Sequence, residues 1–114
     1  MSGKNHSGLA SFRPRASVFA ALGDETRLSV LAKLANGEAQ SISRLTAGTN
    51  LTRQAVTKHL RVLEGVGAVR CFRVGRESRF ELELKPIDDA REYLEYVSRQ
   101  WDPALARLRL LVEE

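Results

Sequence analysis

Between Leu51 and Glu64 the sequence reads LTRQAVTKHLRVLE, and its side chains divide into two chemistries. Thr52, Arg53, Gln54, Thr57, Lys58, His59 and Arg61 carry hydroxyl, amide, imidazole and basic groups. Gln pairs bidentately with adenine and Arg with guanine, a Thr methyl packs on the thymine methyl, and Lys neutralises a phosphate. Turned at about 100° per residue, Val56, Leu60 and Leu63 share one apolar stripe, while Gln54, Thr57, Lys58 and Arg61 point away from it. Arg53 lies beside the stripe in the first turn, where a long side chain still reaches outward. His59 also flanks the stripe and has two readings, a boundary histidine bonded to its neighbours or a phosphate contact. A helix gripped from behind and basic in front suits the major groove of duplex DNA.

Other elements must hold such a helix in place. SVFAALG, Ser17 to Gly23, reads as a short first helix. DETRLSVLAKLANGE follows, with Asp24 as N-cap, Leu28, Val30, Leu31, Leu34 and Ala35 as its stripe, and Asn36-Gly37 as its stop. In SISRLTAGT, Ser41 caps a short helix with Ile42 and Leu45 as core contacts, ended by Gly48. Thr52 then caps the helix that opened the argument. A short helix, a Gly-containing turn and a longer helix make a helix-turn-helix.

Beyond EGVG, AVRCFRV and SRFELEL each read as a strand, Phe80, Leu82 and Leu84 alternating with Arg79, Glu81 and Glu83. VGRE between them is a compact turn. This predicts a β-wing with Arg73, Arg76 and Arg79 on or near its tip, placed to reach phosphates or a minor groove. Charge follows the same outline. Thr52 to Arg79 holds seven basic and two acidic residues, whereas the chain from Phe80 onward holds five basic and nine acidic. A basic middle is the footprint of a polyanion-binding face.

With these motifs in view, the chain resembles the ArsR-type winged-helix transcriptional regulators. The likeness rests on ALGDETRLSVLAKL, LTRQAVTKHLRVLEGVGAV and RCFRVGRESRFEL, which cover most of Ser17 to Leu84. It implies a dimeric, DNA-binding repressor of bacterial type whose helix from Thr52 to about Glu64 reads the operator. The C-terminal segment, with Tyr93, Trp101 and its leucines, is similar to members that lack metal sites. Metal-sensing relatives carry cysteines around the helix before the reading helix, or Asp and His pairs on the last helix. Here AQSISRLTAG has neither Cys nor His, and the last helix has no His. Asp88, Asp89, Glu92 and Glu95 suit the first turns of a helix instead. No metal and no cofactor is expected. Cys71, the lone cysteine, has no intrachain partner and reads as a half-buried strand residue.

From Pro86 onward, Ile87, Ala90, Leu94, Val97, Trp101, Leu105, Leu108 and Val112 step by three or four residues, a seam of coiled-coil type. Pro103 is expected at the first turn of a restarted or kinked helix capped by Asp102. Burial of this seam against Val18, Phe19 and Leu22 and against a second copy predicts a homodimer. Its interface residues are Val18, Phe19, Leu22, Leu94, Val97, Trp101, Leu105 and Leu108. The seam as an intramolecular packing helix is the alternative.

The expected fold is α+β and mostly helical. It is a winged helix-turn-helix with a two-stranded β-wing and N- and C-terminal dimerisation helices. Residues 1–14 read as a flexible tail and residues 15–114 as one domain. Within that domain the helix-turn-helix spans about 41–64, the wing about 68–84 and the C-terminal helix about 86–113. No apolar run approaches the roughly 20 residues that span a bilayer, and no signal-peptide pattern opens the chain. A lone cysteine fits a cytoplasmic location. No nucleophile with a base and no phosphate-cradling glycine loop appears, so an enzyme is not expected. The partner is double-stranded DNA, and the rival reading is a winged-helix module that binds protein.

Overall fold

The structure is a computed structural model that describes residues 16–113. The expected tail, residues 1–14, lies outside the described residues. In chain order the elements are α1 Ala16–Leu22, α2 Glu25–Leu34, β1 Gln40–Ser41, α3 Ile42–Thr46, α4 Arg53–Gly65, β2 Val69–Val74, β3 Glu77–Leu82 and α5 Leu84–Glu113.

Capping defines where the helices begin. Asp24, Ser41 and Thr52 have extended backbones, and each side chain accepts the N–H three residues on, from Arg27, Arg44 and Ala55 respectively. Each cap thereby satisfies a donor that the first helical turn leaves unpaired. The end of α4 is equally defined. Gly67 N–H donates to the Glu64 carbonyl and Ala68 N–H to that of Leu63, both at 2.9 Å. Gly67 has φ +80°. This is a Schellman stop, and a left-handed residue there is what turns the chain directly into β2.

Val56, Leu60 and Leu63 on α4 are wholly buried. They join Val30, Leu31 and Leu34 of α2, Leu45 of α3, Ala68, and Val69 and Phe80 of the strands in one core. Leu28, expected in the α2 stripe, is instead 51 % exposed. Burial on α2 centres between Val30 and Leu34, and Leu28 and Ala35 turn off the opposite flank.

The sheet has three antiparallel strands in the order β1-β3-β2, one more than the expected two-stranded wing. β2 and β3 pair from Val69↔Leu82 to Val74↔Glu77. Across the turn, Gly75 has φ +64° and Arg76 has no positive φ, the pattern of a type II′ hairpin, in which Gly favours the first central position. β1 adds Gln40↔Phe80 and Ser41↔Arg79 on the other edge of β3. Leu84 was expected to extend the alternation of β3, but it is exposed at the start of α5. Glu83 N–H closes the ladder on the Ala68 carbonyl, and the chain leaves the sheet there.

Among the described residues, 16–87 form one compact unit, and α5 from Asp88 onward belongs to a second. Of the restarted or kinked helix expected at Pro103, the restart capped by Asp102 does not occur. α5 runs as one helix from Leu84 to Glu113 with Pro103 inside it, so Asp102 is no N-cap. Among the described residues, no helix is long and apolar enough to cross a membrane.

Candidate nucleic-acid interface

The solvent side of α4 divides into side chains tied to the protein and side chains that are not. Thr52 uses its hydroxyl as the cap, 3.0 Å from the Ala55 nitrogen. Thr57 donates its hydroxyl to the Arg53 carbonyl at 2.7 Å. Thr57 therefore has its methyl group, and no free O–H donor, left for an outside partner, whereas Thr52, which only accepts, keeps both its methyl group and its O–H. Arg53, Gln54 and Lys58 are exposed, and their side chains form no hydrogen bond or ion pair among the described residues.

Arg61 is committed elsewhere. Its guanidinium donates to Glu64 at 2.7 Å and lies 5.7 Å above the Phe80 ring. The hydrogen bond to Glu64, and next that to the Cys71 thiol, raise its pKa above the usual arginine value. It covers a buried aromatic ring while keeping its charge at the surface. Sequence periodicity placed Arg61 on the outward face, but could not register that β3 brings an aromatic ring beneath it.

His59 is half-buried and sits at a junction of three helices. Its Nδ1 is 3.3 Å from an Arg27 nitrogen and 3.8 Å from an Asp24 oxygen. Arg27 also donates through Nε to the Ala21 carbonyl at 2.7 Å and reaches the Ala20 carbonyl at 3.4 Å. One guanidinium thus closes the C-terminal end of α1 and meets α4. Of the two readings of His59, this geometry is that of a histidine bonded to its neighbours.

The backbone N–H of Arg27, and with it the nearby charges of Arg27 and His59, holds the Asp24 carboxyl below the usual aspartate value. A carboxyl with a lowered folded pKa contributes stability that is fully present above its unfolded value, near 3.9, and is lost as pH falls through the folded value. Thermal midpoints recorded from pH 5 down to pH 2 are therefore expected to fall less steeply for Asp24→Asn than for the native chain. Asn keeps the cap but has no proton to take up. Identical slopes would remove Asp24 from the acid response.

The three wing arginines also have different environments. Arg79 pairs with Glu77 at 2.9 Å, and Arg73 donates to the Arg76 carbonyl at 3.3 Å. The Arg76 side chain is exposed and has no partner among the described residues. Arg70, at the base of the wing, is neutralised by Glu81 and Glu83. Arg44 on α3 escaped the sequence reading. It too is exposed with an unpartnered side chain. The available signal was its position next to the buried Leu45, which turns a basic side chain to solvent on the first helix of the motif.

For the expected interface between copies, Val18 is already 4 % exposed in a single chain and Leu22 packs against the core. Phe19 and Val97 are half-buried. Leu94, Trp101, Leu105 and Leu108 are 50–61 % exposed. Among the described residues, no group of three or more His, Cys, Asp or Glu side chains could hold a metal ion.

A capped α3, a turn, a reading helix with an apolar back, and a hairpin wing define a winged helix-turn-helix protein. A helix-turn-helix domain family matches residues 22–71. A Bacillus subtilis relative, the uncharacterized HTH-type transcriptional regulator YuzN, is 38 % identical over 66 residues, covering 53 % of this chain and 72 % of the relative. An ArsR-like transcriptional regulator from Rhodococcus sp. RHA1 is 38 % identical with a TM-score of 0.68, over 84 % of this chain and 90 % of that one. A second structure, an ArsR family transcriptional regulator, is 28 % identical with a TM-score of 0.69, over 76 % and 89 % of the two chains. The chain belongs to the ArsR family of winged helix-turn-helix transcriptional regulators.

Proposed function

We propose that the protein is a homodimeric repressor that binds an inverted-repeat operator, with α4 in the major groove and the wing on the flanking backbone. The observation that carries this reading is the division of α4. Val56, Leu60 and Leu63 are 0 % exposed, and Arg53, Gln54 and Lys58 project without partners from the exposed side. Gln54 reads a base edge, the Thr52 and Thr57 methyls pack against bases, and Lys58 with Arg44 and Arg76 neutralises phosphates. Arg61 and His59 hold the helix in position more than they read sequence, and Arg73 and Arg79 shape the wing around Arg76.

The dimeric state is supported by the exposed seam of α5. Leu94, Trp101, Leu105, Leu108 and Val112 repeat at coiled-coil spacing, and their exposure to water is unfavourable at about 25 cal/mol per Å² of apolar surface. A two-fold dimer sets two reading helices one DNA turn, or a multiple of it, apart. The repressor sense rests on family resemblance.

Selection of bound duplexes from a random pool at near-physiological salt tests the reading. An enriched inverted repeat is expected. Binding without enrichment that vanishes as salt rises would reduce the surface to a non-specific basic patch. With the operator in hand, Gln54→Ala is expected to relax preference at one position per half-site by about 1–3 kcal/mol. An unchanged preference would remove Gln54 from the reading face.

A further inference from the structure

Where the helix-turn-helix meets the wing, the surface forms a cleft of about 380 Å³ lined by Ser41, Ile42, Ser43, Arg53, Arg76, Glu77 and Ser78. Only Ile42 in this lining is aliphatic, whereas sites for small organic ligands are mostly apolar. Its cations come from two elements far apart in sequence, the first residue of α4 and the tip of the wing. Neither guanidinium has a partner among the described residues. The one acid in the lining, Glu77, is already neutralised by Arg79 at 2.9 Å. The cleft therefore keeps two uncompensated positive charges, with three serine side chains around them. Pairing of β1 with β3 builds it, because Ser41↔Arg79 holds the start of α3 against the wing.

From this arrangement we infer that the cleft is a clamp for a single phosphodiester of the DNA backbone, gripped jointly by Arg53 and Arg76. Guanidinium groups suit a phosphate because their donors match its oxygens in geometry as well as charge. A shared phosphate couples the reading helix to the wing, so the wing sets the register of α4 in the groove and is not a separate anchor. The inference rests on the proposed DNA-binding reading and deepens it.

The test uses the full chain and its selected operator, with one backbone phosphate at a time replaced by an uncharged methylphosphonate. For the native protein, neutralising one linkage per half-site is expected to weaken binding roughly tenfold, the size of a charge-assisted contact. Arg53→Ala and Arg76→Ala should each lose sensitivity at that same linkage. In the double variant the slope of log K against log salt should change by about 0.9 per bound protomer, the value for one phosphate. Two different sensitive linkages, or a change of about 1.8, would mean separate contacts and overturn the clamp while leaving DNA binding intact. Failure of the native chain to bind any operator would instead overturn the functional reading beneath it. A parallel titration with inorganic phosphate identifies the source of the anion. Saturable stabilisation lost in both variants, together with no methylphosphonate effect, would assign the cleft to a free phosphate ligand and overturn the DNA clamp.

Both side chains are exposed and unpartnered, so the variants are expected to fold as the native chain does. Circular dichroism and an unchanged thermal midpoint verify this.

Discussion

A chain carrying Leu105→Asp and Leu108→Asp is expected to sediment as a monomer at concentrations where the native chain forms the proposed dimer. Both leucines are half-exposed in the single chain, at 50 % and 55 %, so the substitutions remove little intramolecular packing. In the proposed dimer they place two carboxylates per protomer in a seam that excludes water. Burial of an unpaired charge there costs several kcal/mol, enough to dissociate a small interface. The consequence for DNA is larger than for folding. Two linked reading helices make the second half-site contact effectively intramolecular, a gain of about 10²–10⁴ in affinity. The variant should lose that factor on a two-half-site operator while retaining the native affinity for a duplex with one half-site. Equilibrium sedimentation and titrations on both duplexes give the result. A variant that remains dimeric would displace the interface from this part of α5.

Phe80→Ala is expected to have the largest effect on stability. Phe80 is 0 % exposed and lies in the middle strand, opposite Cys71 on one side and Gln40 on the other. The Arg61 guanidinium covers its ring. Removing a buried aromatic ring costs about 3–5 kcal/mol, against a total of about 5–15 kcal/mol for a typical domain. At about 4–8 °C per kcal/mol for a domain of this size, the thermal midpoint should fall by at least ~12 °C. Arg61 loses its support in the same variant, and the core shared by the wing and the helix-turn-helix loses its largest buried side chain. Urea unfolding of the two chains measures the difference. A loss below about 1 kcal/mol would mean that the three strands and α4 do not depend on one shared ring.

The helix-turn-helix was legible because its signals are local. Asp24, Ser41 and Thr52 cap their own helices, and Val56, Leu60 and Leu63 repeat at the helical period. The wing was legible through alternation around a Gly turn, although its alternation was carried two residues too far, to Leu84. β1 was not legible at all. Two residues cannot display a period of two, and Gln40–Ser41 is a strand only because the edge of β3 offers partners. α5 also differs from the sequence reading, because the helix continues through Pro103 with no new N-cap at Asp102, although proline disfavours a helix interior by propensity.

The candidate site divides along the same line. Sequence by itself determined which face of α4 is apolar, which residues could meet DNA, and that a basic hairpin follows, since these depend on residue type and spacing along one element. Only the tertiary structure decided which of those charges remain free. Arg61 is drawn to Glu64 and over Phe80, Arg79 to Glu77, and His59 to Arg27 and Asp24, whereas Arg53 and Arg76 are left unpaired in one cleft. The physical reason is range. Periodicity governs the direction in which a side chain leaves its own helix or strand. Its partner is chosen by whichever charge or ring the fold brings within a few ångströms, and for Arg61 over Phe80 that neighbour lies some twenty residues away along the chain, as Arg76 does from Arg53 in the cleft they both line.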